Sequence, residues 1–113
     1  MVETTYSPDR GDIVWISLDP TLGRELQKRR PALILTPKPY NIKTSLALIV
    51  PITSKVKGYS FEVALPIGLS IQGVILSDQI RSIDWRSRDA QFITSASMSL
   101  LNAVRAKQKA LLP

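Results

Sequence analysis

The sequence predicts a small, mostly β domain closed by a single C-terminal helix. Three observations carry that prediction. Short apolar runs rich in β-branched and aromatic residues recur between Pro, Gly, Asn, Asp and Ser. Only one stretch, near the C-terminus, keeps a 3.6-residue apolar period. The chain has 113 residues, 44% of them apolar, which suits one domain over 1–113 with a core of its own.

The strand signals run in order. Residues 12–18 (DIVWISL) follow Gly11 and mix β-branched with aromatic side chains, and Trp15 reads as core. Residues 31–36 (PALILT) and 46–52 (LALIVPI) follow. Residues 60–65 (SFEVAL) alternate apolar and polar positions. Residues 73–76 (GVIL) lead into 78–85 (DQIRSIDW), so Asp78 and Gln79 are expected to open a strand. Pieces of four to eight residues at this spacing suit a compact antiparallel sheet or small barrel. In the helix, Ser97 is the expected N-cap, and Leu100, Leu101, Val104, Leu111 and Leu112 recur near the helical period. Arg105, Lys107 and Lys109 fall mainly on the remaining, solvated face.

Composition narrows the chemistry. There is no Cys and no His, which excludes disulfides, thiol nucleophiles, His-based general catalysis and His-liganded metals. No metal site and no cofactor are expected. The longest apolar run, 46–50, is far too short to cross a membrane, and residues 1–12 carry three acids and no apolar core. A soluble, cytoplasmic protein without a membrane partner is therefore expected. The net charge of +6 is unevenly spread. Residues 21–60 hold eight Lys and Arg against one acid. That excess points toward a polyanion.

Three constellations could carry function. In 24–31 (RELQKRRP), Pro31 disfavours helix at Arg30, which should sit extended at the mouth of a strand. Glu25, Lys28, Arg29 and Arg30 read either as a solvated loop or as an anion site holding one carboxylate. In 51–57, Thr53 and Ser54 followed by Lys55 and Lys57 read either as a strand end with turn hydroxyls or as phosphate donors. In 77–88, Asp78 and Gln79 start a strand, and Trp85 sits among Arg81, Arg86 and Arg88, where it reads either as a core residue or as a stacking platform.

Four blocks in order resemble the MazF/PemK toxins. The first runs R10-G-D-I-V-W15, then Asp19-Pro20-Thr21 with Gly23 and Glu25, then Arg30-Pro31-Ala32. The second is V50-P-I-T-S54. The third is Lys57-Gly58-Tyr59 with Phe61-Glu62-Val63. The fourth is Gly73-Val74 with Asp78-Gln79 and R81-S-I-D-W-R86. The resemblance runs from about residue 7 into the last helix and is nearest the MazF branch. It implies an SH3-like (CcdB/PemK-type) barrel with a C-terminal helix, working as a homodimer. It implies a sequence-selective, metal-independent endoribonuclease toxin that acts on single-stranded RNA and is blocked by an acidic, MazE-like antitoxin. The family's catalytic Arg falls on Arg30, its catalytic Thr on Thr53 and its loop Glu on Glu25. Lys28, Arg29, Ser54, Lys55, Lys57, Asp78, Gln79, Arg81 and Arg86 are the expected RNA contacts. Two positions depart from the pattern. Arg29 stands where some relatives have His, and Leu76 stands where the PemK branch has Arg, so a PemK-type Arg–Asp pair is not available. A non-catalytic nucleic-acid-binding barrel and a gyrase-inhibiting toxin of the same fold are the alternatives.

Overall fold

The computed structural model describes residues 6–18 and 29–112. Glu25 and Lys28 lie outside the described residues. Among the described residues, seven strands and two helices follow in the order β1 (Asp12–Ser17), β2 (Arg29–Ile34), α1 (Lys38–Thr44), β3 (Leu46–Thr53), β4 (Glu62–Ala64), β5 (Val74–Leu76), β6 (Arg81–Asp84), β7 (Gln91–Ser95) and α2 (Met98–Leu111). All strand pairings are antiparallel. The sheet order is β4-β5-β3-β2-β1-β7, and β6 also pairs β3. A turn over 85–90 joins β6 to β7, so the two ends of the run β6-β3-β2-β1-β7 come back together. The Ala90 N–H donates to Trp85 O and the Ser17 N–H to Arg88 O, which seals that junction. This gives a mostly β, small barrel-like fold with a C-terminal helix, as the sequence predicts.

Alternation in the strands sends apolar side chains to both faces. Val14, Ile16, Ala32, Ile34, Ala47, Ile49, Ile83 and Trp85 form one buried cluster. Ile13, Leu33, Val50, Ile52, Val63 and Ile75 form the other, covered by Leu100, Leu101 and Val104 of α2. The α2 N-terminus is capped as expected, with Ser97 Oγ accepting the Leu100 N–H at 3.1 Å. Leu111 and Leu112 are exposed, so the apolar stripe engages the sheet only through its first two turns.

Several expectations are corrected. Trp15 is 37% exposed rather than core. It shares a face with Ile13, but α2 covers the end of that face at Gly11, where Leu101 packs, and Trp15 lies opposite Pro31 and Gln91 instead. Trp85 is core, buried to 3% with its Nε1–H donated to Asn41 O at 2.9 Å, which removes it as a stacking platform. Asp78 and Gln79 do not open a strand. Ile75 pairs with Ile52 and Arg81 with Ile49, so six residues of chain cover a span that three residues of β3 could cover. The excess forms a turn, closed by the Gln79 N–H to Leu76 O bond, and pushes Asp78 and Gln79 out of the sheet. Helix α1 and strand β7 are additions to the predicted elements. The prolines at 37 and 39 mask α1, yet proline is tolerated where helix N–H groups lack partners.

Candidate active site

Register brings the first two candidates together. Ala32 pairs with Pro51 and Ile34 with Ile49. Carrying that register one side-chain repeat further sets Arg30 opposite Thr53. Ile34 and Ala32 share a face with Arg30, and Ile49 shares that face with Thr53, by the two-residue period. On β6, Arg81 and Ile83 also share a face, and Ile83 belongs to the same cluster. Three of the expected site residues, from three strands, therefore stand at one rim of one cluster.

A pocket of about 410 Å³ opens at that rim. Arg30, Thr53, Lys55, Lys57, Asp78, Gln79 and Arg81 line it, so seven of the expected site residues converge. Its volume falls in the ordinary range for ligand sites. Thr53 Oγ1 accepts the Lys55 N–H at 3.1 Å, which pins the hydroxyl and leaves its proton to donate to a ligand. The backbone at Thr53 is itself fixed by Val74 across the β3–β5 ladder.

The loop carrying Lys55 and Lys57 is held by a residue that sequence reasoning did not place in the site. Glu62 accepts the N–H groups of Lys57 and Gly58 at 3.1 and 2.9 Å. Tyr59, Phe61 and Glu62 line the pocket beside the lysines. The available signal was an acid a few residues after a Lys-Gly turn, positioned to cap its amides. The opposite wall is tied down as well. The Ser77 N–H donates to Phe61 O, and Gln108 of α2 donates to Ser77 O at 3.1 Å. Helix α2 thereby braces the residue next to Asp78.

Three expected contacts lie outside the pocket lining. Arg29 is next to Arg30, so alternation sends it to the other face. Its guanidinium donates to Asp89 O at 2.7 Å, Trp15 O at 3.1 Å and Ser17 Oγ at 3.3 Å, and faces the Asp89 carboxylate at 3.6 Å. Arg86 lies over the Trp85 ring, 4.6 Å from its centroid, and borders a separate depression with Tyr6 and Phe92. Ser54 follows Thr53 but is not part of the pocket lining. Arg88 donates to Ser17 O and Leu18 O at 2.9 and 2.7 Å, and Arg81 to Leu18 O at 3.3 Å. Both arginines thus anchor the chain where it leaves β1.

The pocket thus sets four cations and one pinned hydroxyl beside two carboxylates, Glu62 and Asp78, and the cations are equipment for holding an anion and stabilising charge that develops on it. Residues 9–112 match the family described as PemK-like, MazF-like toxin of type II toxin-antitoxin system. The chain is 45% identical over 102 residues to the endoribonuclease toxin MazF of Escherichia coli K12, covering 90% of this chain and 91% of that one. It is 36% identical over 108 residues to the E. coli endoribonuclease PemK, covering 92% and 81%. A crystal structure of MazF from Deinococcus radiodurans superposes with a TM-score of 0.87 at 47% identity, covering 96% and 98%. A MazE–MazF complex from the same organism gives 0.86 at 44%, covering 96% and 97%. The higher identity to MazF than to PemK agrees with the branch that the motif blocks indicate. The chain belongs to the PemK/MazF-like family of type II toxin–antitoxin toxins.

Proposed function

We propose that this chain is a sequence-selective endoribonuclease toxin that cuts single-stranded RNA without a metal ion. The observation that carries the reading is the convergence of Arg30, Thr53, Lys55, Lys57 and Arg81 on one pocket in a chain of this family. RNA brings its own nucleophile, the 2′-hydroxyl. An enzyme that uses it has three tasks: accepting a proton, stabilising the phosphorane and assisting the leaving oxygen. The 2′-oxygen attacks phosphorus, the P–O5′ bond breaks, and the products are a 2′,3′-cyclic phosphate and a 5′-hydroxyl. Arg30 stabilises the dianionic phosphorane and hydrogen-bonds the leaving 5′-oxygen, which takes its proton from solvent water to become the 5′-hydroxyl. Thr53 donates its hydroxyl to a phosphate oxygen. A guanidinium is a poor base, so Glu25 takes the 2′-hydroxyl proton. Lys55, Lys57 and Arg81 bind the flanking phosphates.

The partner reading follows from the same charge. An antitoxin with an acidic segment occupies the basic pocket and excludes RNA, in keeping with the MazE–MazF pairing of the Deinococcus relative. The working unit is a symmetric homodimer, which lengthens the groove with a second copy of the basic loops. No helix among the described residues is long and apolar enough to cross a membrane. We take the site of action to be the cytoplasm, where RNA is found.

The test is cleavage of a long RNA by pure protein in millimolar EDTA, with sequencing of the new 5′ ends. Cleavage should persist, recur at a short motif and leave 5′-hydroxyl termini. Loss of cleavage in EDTA with recovery in magnesium contradicts the mechanism, and no cleavage in either contradicts the function.

A further inference from the structure

The pocket holds two unlike chemistries. Its cations suit phosphates, but Glu62 and Asp78 are carboxylates, and a carboxylate repels a phosphate chain. Glu62 is already engaged, with its two oxygens accepting the Lys57 and Gly58 amides. Asp78 is different. It is exposed, it stands on the turn that the sheet geometry pushes outward, and among the described residues no hydrogen bond or ion pair engages its carboxylate. An acceptor-only group in a groove for a polyanion is favourable only where it meets a donor. On RNA the 2′-hydroxyl is a donor at every nucleotide and carries no sequence information, whereas the base-edge donors are the exocyclic amines of adenine, cytosine and guanine, with the guanine N1–H beside its amine. Uracil has no such amine, and its ring N–H is flanked by two carbonyl oxygens that a carboxylate repels.

Tyr59 supplies the second element. It is an aromatic residue 65% exposed in the same pocket, on the loop that Glu62 fixes. Sequence-specific RNA readers stack an unpaired base on an aromatic face and bond its polar edge. We propose that Tyr59 and Asp78 form a base-reading slot beside the reacting phosphate, which accepts an amine-bearing base and rejects uracil. This inference rests on the endoribonuclease reading and adds the residues that set its sequence preference.

The experiment uses short 2′-O-methyl RNA oligomers, which bind but lack the nucleophile, with each position in turn replaced by uracil. Binding is measured for the parent, Asp78→Asn and Asp78→Ala, and the cleavage motifs of all three are sequenced. The parent should bind uracil about tenfold more weakly at one position near the cut. Both variants should lose that discrimination there, and their cleavage motif should relax at that position alone. Asp78→Ala should also bind more tightly at low salt, since a negative charge leaves the groove. An unchanged uracil penalty and motif in both variants overturns the inference. So does uniform loss of cleavage with the penalty intact, which would give Asp78 a role in proton transfer. A parent that binds with the uracil penalty but never cuts sinks the nuclease reading and leaves the slot standing, so the two failures are distinguishable.

Discussion

Gly73 carries no side chain because there is no room for one. A Cβ built there would lie 2.2 Å from Thr53 O and 2.8 Å from its carbonyl carbon, and φ is +129°. The β4–β5 hairpin can therefore press directly on the backbone that presents the Thr53 hydroxyl. Gly68 also has positive φ, +106°, but open space around it. Gly68→Ala should cost roughly 1 kcal/mol from backbone strain alone. Gly73→Ala adds overpacking and should cost more than about 2 kcal/mol. Thermal melts of the two variants decide this, and equal losses would contradict the close approach. Asn41 is the other residue whose removal is expected to be severe. It is fully buried, donates to Pro8 O and Thr36 O at 2.9 and 2.8 Å, and accepts the Thr36 hydroxyl at 2.7 Å. Asn41→Ala strands those groups and should lower stability by about 3 kcal/mol, read by denaturant titration.

At the scale of elements, the turn between β6 and β7 closes the barrel, and Asp84 organises it. Its Oδ1 accepts from the Ser87 and Arg86 amides at 3.1 Å and from the Ser45 hydroxyl at 3.0 Å. The Ser87 amide foremost, then the Ser45 hydroxyl, hold the carboxyl below its ordinary value. A depressed carboxyl stabilises the fold above its unfolded pKa of 3.8 and loses that contribution as pH falls through the folded value. The acid limb of a stability–pH curve should therefore flatten in Asp84→Asn, and an unchanged limb would contradict the assignment. The same elements explain what the sequence could reveal. Runs such as ALILT and LALIVPI carry enough β-branched side chains to show themselves. α1 stayed hidden because its stability is tertiary, through Asn41 and the Trp85 indole, while its own start carries two prolines. The outward turn at Asp78 depends on two pairings to one strand, and the capping by Glu62 on how a loop folds back. Neither is written in local periodicity. Arg30 and Thr53 were legible from motif blocks, but their opposition needed the β2–β3 register.

For the whole molecule, the barrel brings three strand ends together, so that cations from distant parts of the chain line one pocket. The proposed homodimer would double that surface, and sedimentation at micromolar concentration should then give a species of twice 12.5 kDa. A monomer alone would contradict the symmetric groove. RNA affinity should fall steeply with salt, and Lys55→Ala or Lys57→Ala should each flatten that slope by about one phosphate contact. The central claim is narrower: the register-aligned pair of Arg30 and Thr53 acts on the reacting phosphate. Its most direct test is single-turnover cleavage at saturating RNA by Arg30→Ala and Thr53→Ala, with RNA binding and folding measured in parallel. Both variants should stay folded and still bind RNA, and each should cleave ~10²-fold or more slowly than the parent. Parental cleavage by either variant at saturation would contradict the account.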